Sequence, residues 1–202
     1  MNLLLDNVLT LLLLAAFVCA VCFAANGLFN HNALSRLATG STRQRPLVSI
    51  LIPCRNEQEH IEACLDSILE QKYSHLEILV LDDHSEDESA NILSRYANEY
   101  DNVTIIQGSS LPEGWTGKNW ACHQLYAASR GDVLLYCDAD TQIGRDLIQD
   151  AVAELENRAL GFVSIFPERK SGNVFDRWVW SFTSWVIASW VPLWLAYQTR
   201  LG

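Results

Sequence analysis

Between Leu47 and Asp140 the chain repeats one pattern four times: an apolar run of strand length, closed by polar residues and followed by a different segment. The runs are LVSILIP (47–53), LEILVLDD (76–83), NVTIIQG (102–108) and DVLLYCDAD (132–140). The first is a continuous, β-branched stretch, as expected for a strand covered on both faces. Between and after the runs, apolar residues fall at helical spacing. Ile61, Cys64, Leu65, Ile68 and Leu69 form one such set; Ile92, Leu93 and Tyr96 form another; Leu147, Ile148, Val152 and Leu155 form a third. Residues 119–129 are also expected to be helical. Asn56 with Glu59, and Ser85 with Glu88, have the spacing of helix caps. Strands alternating with helices require crossover connections, so the fold class is α/β, a mostly parallel sheet flanked by helices.

At 202 residues the chain can bury one substantial core. In open α/β sheets ligands bind beyond the carboxyl ends of the strands, and there this sequence collects its unusual polar residues. The first run leads into Pro53-Cys54-Arg55-Asn56-Glu57 and the second into Asp82-Asp83-His84-Ser85. The third leads into a loop containing LPEGWTGKNW, and the fourth ends in Asp138-Ala139-Asp140. Each cluster alone could be a cap or a solvated turn; their coincidence at one edge is the stronger signal. PCRNEQ contains no glycine, which excludes a dinucleotide-binding turn. Gly117-Lys118-Asn119 lacks the spacing and the Ser or Thr of a P-loop.

The balance of 24 acidic against 14 basic residues, net charge −10, repels anions, and no nucleic-acid partner is expected. A diphosphate would need an intervening cation, and paired carboxylates are the hard oxygen ligands that suit Mg²⁺ or Mn²⁺. The plainer alternative has Asp140 capping a turn with Thr141 while Asp138 is solvated. His84 is expected in a loop, and His123 as a partly buried packing residue. Arg55 could pair with an anionic ligand or with Asp83.

The two ends of the chain differ from its middle. From Val8 to Ala25 nothing is charged, long enough with its flanks for a membrane anchor over residues 1–30, with a cleaved signal peptide as the alternative. Arg36, Arg43 and Arg45 follow this run and no basic residue precedes it, which puts the remainder on the cytoplasmic side of a bacterial-type inner membrane. The six cysteines sit mostly in apolar contexts, as expected in a reducing compartment. A linker over 31–46 leads into the α/β domain, 47–170. In 171–202, five of the seven tryptophans lie between Arg177 and Arg200, a stretch without charge. Tryptophans favour the headgroup boundary, so this segment is expected at the membrane surface or on the acceptor side. A second span and core packing are the alternatives.

VSILIPCRNEQEHIEACLDSILEQ, EILVLDDHSED and ASRGDVLLYCDADT resemble, in order, the landmarks of family 2 glycosyltransferases with the GT-A fold, across about residues 46–167. LPEGWTGKNWAC resembles the membrane-bound branch that includes hopanoid-associated and carotenoid-type enzymes. The resemblance implies a nucleotide-diphosphate sugar donor, a divalent metal (Mg²⁺ or Mn²⁺) and a lipid-like acceptor. Pro53, Arg55, Asn56 and Glu57 would line the nucleotide site, Asp83 would read the base, and Lys118 would approach the nucleotide or its phosphates. Asp138 and Asp140 would lie near the ribose and the metal–diphosphate. The implied reaction is inverting hexosyl transfer at a membrane. The family's general base belongs to a later acidic motif with no match before Gly202, so this chain is expected to be the front part of a longer enzyme. A donor-binding module without transfer activity is one rival. A nucleotidyltransferase is the other, although it would carry a glycine-rich basic loop after its first strand.

Overall fold

The computed structural model describes residues 2–33, 45–165 and 173–192. The element order is α1 (Asn2–Ala33), β1 (Val48–Cys54), α2 (Ile61–Leu69), β2 (Leu76–Asp82), α3 (Ser89–Glu99), β3 (Val103–Gln107), α4 (Gly117–Ala128), β4 (Val133–Tyr136), α5 (Leu147–Arg158) and α6 (Val174–Trp190). Two compact units result: Leu37–Pro167 is one, and Met1–Arg36 with Glu168–Gly202 is the other.

In the first unit the four strands form one sheet in the order β3-β2-β1-β4, and every pairing is parallel. All four carboxyl ends therefore meet at one edge. Successive side chains of a strand point to opposite faces, and β1 uses both. Ile50 and Ile52 pack with Ile61, Leu65 and Ile68 of α2 and Leu93 of α3. Leu51 packs with Leu79, Leu81 and, from α4, Ala121 and Leu125. Two apolar layers explain why LVSILIP does not alternate.

The fourth strand departs from the expectation. It stops at Tyr136, two residues before Asp138; Val133, Leu134 and Leu135 are half-buried and Tyr136 is 50% exposed. Its place at the sheet edge, paired only with β1 among the described residues, is the reason. Neither expected capping box forms. Helix α2 begins at Ile61 and α3 at Ser89, each without a side-chain hydrogen bond from its N-cap residue. Asn56 and Ser85 are instead committed to each other's loops, as described below.

At the opposite, amino end of the sheet, Glu77 is buried and forms a polar knot. Its carboxylate accepts hydrogen bonds from Ser49 Oγ, from Arg130 N (2.6 Å) and from Arg130 Nε (2.9 Å). Gly131 N donates to Ser49 Oγ at 2.7 Å. A Cβ on Gly131 would lie 2.6 Å from Ser49 N, so only glycine lets the turn close over the knot.

The second unit holds α1 and α6. Asn7–His31 of α1, 25 residues with a mean hydropathy of 2.8, is long and apolar enough to cross a membrane. Its Leu11, Leu12 and Phe17 are exposed. Helix α6 starts with a cap the sequence reasoning missed, Asn173 Oδ1 accepting from Asp176 N at 2.8 Å. Its carboxyl end packs on α1, where Phe23 and Trp190 meet at a centroid distance of 4.9 Å. Asn26 Nδ2 donates to the carbonyl of Ser189 (2.9 Å), and Asn30 Nδ2 donates to those of Ala188 (2.5 Å) and Val191 (2.7 Å). The expected division treated residues 1–30 and 171–202 as separate segments; within the described residues they pack together. Trp178 stacks on Phe182 and Trp185 tilts against Phe182 along an exposed face of α6, and Trp194 lies outside the described residues.

Candidate functional site

The carboxyl edge of the sheet opens into a cleft of about 340 Å³. Four of its sides come from the four segments singled out in the sequence. The β1 exit supplies Pro53, Cys54, Arg55 and Glu57; the β2 exit supplies Asp83; the start of α4 supplies Gly117, Lys118 and Ala121; the β4 exit supplies Asp138, Ala139 and Asp140. The ladder extends past the strand ends to hold these exits in place. Asp83 N donates to Cys54 O (2.8 Å), Gly108 N to Asp82 O (2.9 Å) and Cys137 N to Leu51 O (3.1 Å). Gly108 suits this closeness, because a Cβ there would lie 3.1 Å from Asp83 Oδ1 and 3.2 Å from Asp82 O and would press its neighbours back by a few tenths of an ångström.

Asn56 is the one expected site residue that does not line the cleft. It adopts a left-handed backbone, φ 55°, and its Oδ1 accepts from Glu86 N at 2.8 Å while its own N–H donates to Ser85 Oγ at 3.0 Å. Glu57 N donates to Ser89 Oγ (2.8 Å) and Gln58 N to Asp87 Oδ2 (3.1 Å), so the two loops are zipped together. Asn56 thus sets the shape of the loop that carries Arg55 and Glu57. Asn56→Ala removes an acceptor and leaves a Cβ-bearing residue in the left-handed region, so a loss of about 1–2 kcal/mol is expected. Asn56→Gly should lose less; thermal unfolding of the detergent-solubilised chain compares the two.

The carboxylate pair is presented by a turn rather than by a strand. Ala139 is buried, whereas Asp138 and Asp140 on either side of it are exposed, so both acids face the cleft from one short backbone stretch. Thr141 N donates to Asp138 O at 3.0 Å, which closes the turn. Two buried thiols brace the same carbonyl from behind: Cys137 Sγ lies 3.5 Å and Cys64 Sγ 3.7 Å from Asp138 O. Hydrogen bonding to Cys137, then burial, holds the Cys64 thiol far above the usual range. Burial, with Asp82 nearby, pushes Cys54 up to about 12. Cys54 and Cys64 are packing groups kept as thiols, while the hydrogen bond with Cys64 lowers the pKa of Cys137, which braces the turn beside them. In the sequence Cys54, Cys64 and Cys137 stand out only for their apolar contexts; the adjacency of Cys54 to Pro53 and of Cys137 to Asp138 was the available signal, and Cys64 offered none.

Two cations face the acids. Lys118 Nζ lies 2.7 Å from Asp138 Oδ1, and that hydrogen bond raises the lysine's pKa. Arg55 Nη1 lies 3.9 Å from Asp83 Oδ2, the pairing left open by the sequence. Trp120 fixes the loop before α4 by donating from Nε1 to Ser109 O (3.3 Å), and Gln124 Oε1 accepts from Ser109 N and Oγ at 2.9 and 2.7 Å. His123 is exposed, not partly buried as expected, with its ring stacked on Trp120 and close to Trp115. His84 is an exposed loop residue with φ 58°.

Among the described residues no group of three or more His, Cys, Asp or Glu side chains could hold a metal ion. A magnesium-type ion does not need one. It is commonly bound by one or two protein carboxylates together with substrate phosphates and water, and Asp138 with Asp140 fits that donor set.

The fold and this edge can be set beside known proteins. Beta-monoglucosyldiacylglycerol synthase of Trichormus variabilis is 29% identical over 122 residues, which cover 59% of this chain and 26% of that protein. 4,4'-Diaponeurosporenoate glycosyltransferase of Staphylococcus haemolyticus is 31% identical over 130 residues, covering 63% of this chain and 33% of that protein. The chain therefore spans 26% and 33% of the length of these two relatives. The solved structure of the mannosyltransferase PcManGT from Pyrobaculum calidifontis, in complex with GDP-Man and Mn²⁺, matches with a TM-score of 0.54 and 24% identity. That match covers 69% of this chain and 43% of PcManGT, and it establishes a shared GT-A-type fold. The sequence model of glycosyl transferase family 2 matches residues 49–200, which run from the second residue of β1 past the end of α6. The chain belongs to glycosyl transferase family 2.

Proposed function

We propose that this chain carries the donor site of a membrane-anchored glycosyltransferase that moves a sugar from a nucleotide-diphosphate sugar to a lipid-like acceptor hydroxyl. The observation that carries this reading is the single cleft in which Asp83, Lys118, Asp138 and Asp140 converge from three chain segments. In this reading Pro53, Arg55 and Glu57 line the nucleotide side, with Asn56 shaping their loop, and Asp83 pairs with the base. Lys118 and Arg55 supply positive charge for the diphosphate. Asp138 and Asp140 would hold a divalent cation, Mg²⁺ or Mn²⁺, which when bound offsets charge developing on the leaving diphosphate. Two relatives support a lipid-like acceptor, one named as a synthase of monoglucosyldiacylglycerol and the other as a glycosyltransferase of 4,4'-diaponeurosporenoate.

Membrane association belongs to the same proposal. Helix α1 is the anchor, the basic residues that follow it favour the cytoplasmic side, and the aromatic face of α6 suits the headgroup boundary. The test is binding of UDP- and GDP-sugars with and without Mn²⁺, measured by calorimetry on the detergent-solubilised chain, followed by transfer assays on extracted lipids. Saturable, cation-dependent binding of at least one donor is the expected result. Binding by none of the panel would sink the donor-site reading.

A further inference from the structure

The cleft presents two carboxylates for a cation, and one of them is already engaged. Lys118 Nζ sits 2.7 Å from Asp138 Oδ1, while Asp140 makes no ion pair among the described residues. Among the described residues, no third carboxylate, histidine or cysteine joins the pair to complete a ligand cluster. A lone divalent ion arriving here would meet one unpaired carboxylate and an ammonium directly beside the other. To use both acids it must displace Lys118 from Asp138, and the other carboxylates of the cleft are Asp83, which already faces Arg55, and Glu57.

A cation that arrives with a nucleoside diphosphate meets a different balance. The phosphate oxygens are acceptors for the ammonium, so Lys118 can leave Asp138 and gain a charge-assisted bond in the same step. The lysine and aspartate side chains are 65% and 58% exposed, so their pair is weak and exchangeable. We infer that Lys118 is an exchangeable counter-ion: it occupies Asp138 in the empty site, so that the site rejects a free divalent cation and accepts one only together with a nucleoside diphosphate. This inference rests on the donor-site reading and adds to it an order of binding. It also gives Lys118 two opposed effects, competing with the lone cation and favouring the cation–diphosphate complex.

The test is a Mn²⁺ titration of the full chain in detergent, with free Mn²⁺ read by electron paramagnetic resonance, alone and with UDP or GDP. In the wild type, Mn²⁺ alone should bind weakly and the nucleotide should tighten it at least about tenfold, the worth of one charge-assisted hydrogen bond. Lys118→Met should tighten binding of Mn²⁺ alone about threefold to fivefold, the scale of an exposed ion pair. The same variant should weaken nucleotide binding in the presence of Mn²⁺ about tenfold or more. Lys118→Arg, which keeps the charge, should stay near the wild type for Mn²⁺ alone. Equal Mn²⁺ affinity with and without nucleotide would overturn the inference, as would a Lys118→Met variant that binds Mn²⁺ no more tightly. If in either case nucleotide binding still depends on Asp140, the donor site stands without the exchange. If neither nucleotide binds under any condition, the donor reading fails first and takes the inference with it.

Discussion

Asp140→Ala is expected to weaken Mn²⁺-dependent binding of UDP or GDP at least about 100-fold while leaving the fold unchanged. Loss of an outer partner of a metal ligand already costs about 10–100-fold in affinity or activity, and here a direct ligand candidate is removed. Asp138 would be left as the single carboxylate of the pair, and it is free for the cation only after Lys118 has moved away. The side chain is exposed and the turn is closed by backbone and thiol contacts to Asp138 O, so circular dichroism and thermal unfolding should not change. Asp140→Glu, which keeps the charge on a longer stem, should fall between wild type and alanine. Calorimetric titration with and without Mn²⁺ checks all three. A full-strength, metal-dependent nucleotide site in Asp140→Ala would remove this residue from the donor set.

The largest effect on stability is expected at the other end of the sheet. Glu77→Ala should destabilise the α/β unit by about 2–4 kcal/mol, below the range of about 3–5 for a broken buried pair. The reduction is argued from Arg130, whose side chain is 80% exposed and can return to water. What cannot be resolvated is Ser49, fully buried with its hydroxyl held between Glu77 and Gly131 N. Glu77→Gln keeps acceptors for Ser49 and Arg130 N and should cost roughly half as much. Burial pushes the Glu77 carboxyl up, but hydrogen bonds from Ser49 and from the Arg130 backbone and side chain outweigh it and hold the pKa below its ordinary value. The folded form therefore releases its proton more readily than the unfolded chain. The contribution is fully present above the ordinary glutamate value of about 4.3 and is lost as pH falls through the lower folded value. Urea unfolding of wild type and Glu77→Gln from pH 7 downward should converge in that acid window.

The α/β class could be read from the sequence because the apolar runs and the helical spacings obey different periods. The strand ends could be read because polar residues interrupt each run. What could not be read was how the loops pair. Asn56 and Ser85 both have good cap chemistry, and local spacing favours a helix for each. Only the parallel pairing of β1 with β2 brings their loops side by side, where Asn56 Oδ1 finds Glu86 N and Ser85 Oγ finds Asn56 N. The exposure of β4 was hidden for a similar reason, since edge position is a property of strand order and not of the strand's own residues. Of the residues expected around the ligand, Pro53, Arg55, Glu57, Asp83, Lys118, Asp138 and Asp140 share the cleft. The expectation came from strand-end chemistry and from the family resemblance; the Lys118–Asp138 contact came from neither, because their 20-residue separation says nothing about distance.

The asparagine contacts between α1 and α6 bear on how the protein can be handled. An apolar amino-terminal helix such as α1 is an obvious segment to remove when a soluble version is wanted. Here, a chain shortened past Ala33 would lose Asn26 and Asn30, and the carbonyls of Ala188, Ser189 and Val191 would lose these donors. Trp190, already exposed, would lose its contact with Phe23 as well, on a helix lined with exposed aromatics. Such a product should stick to itself and to detergent more than the intact chain does. Keeping α1 and accepting a detergent is the better preparation for every measurement described above.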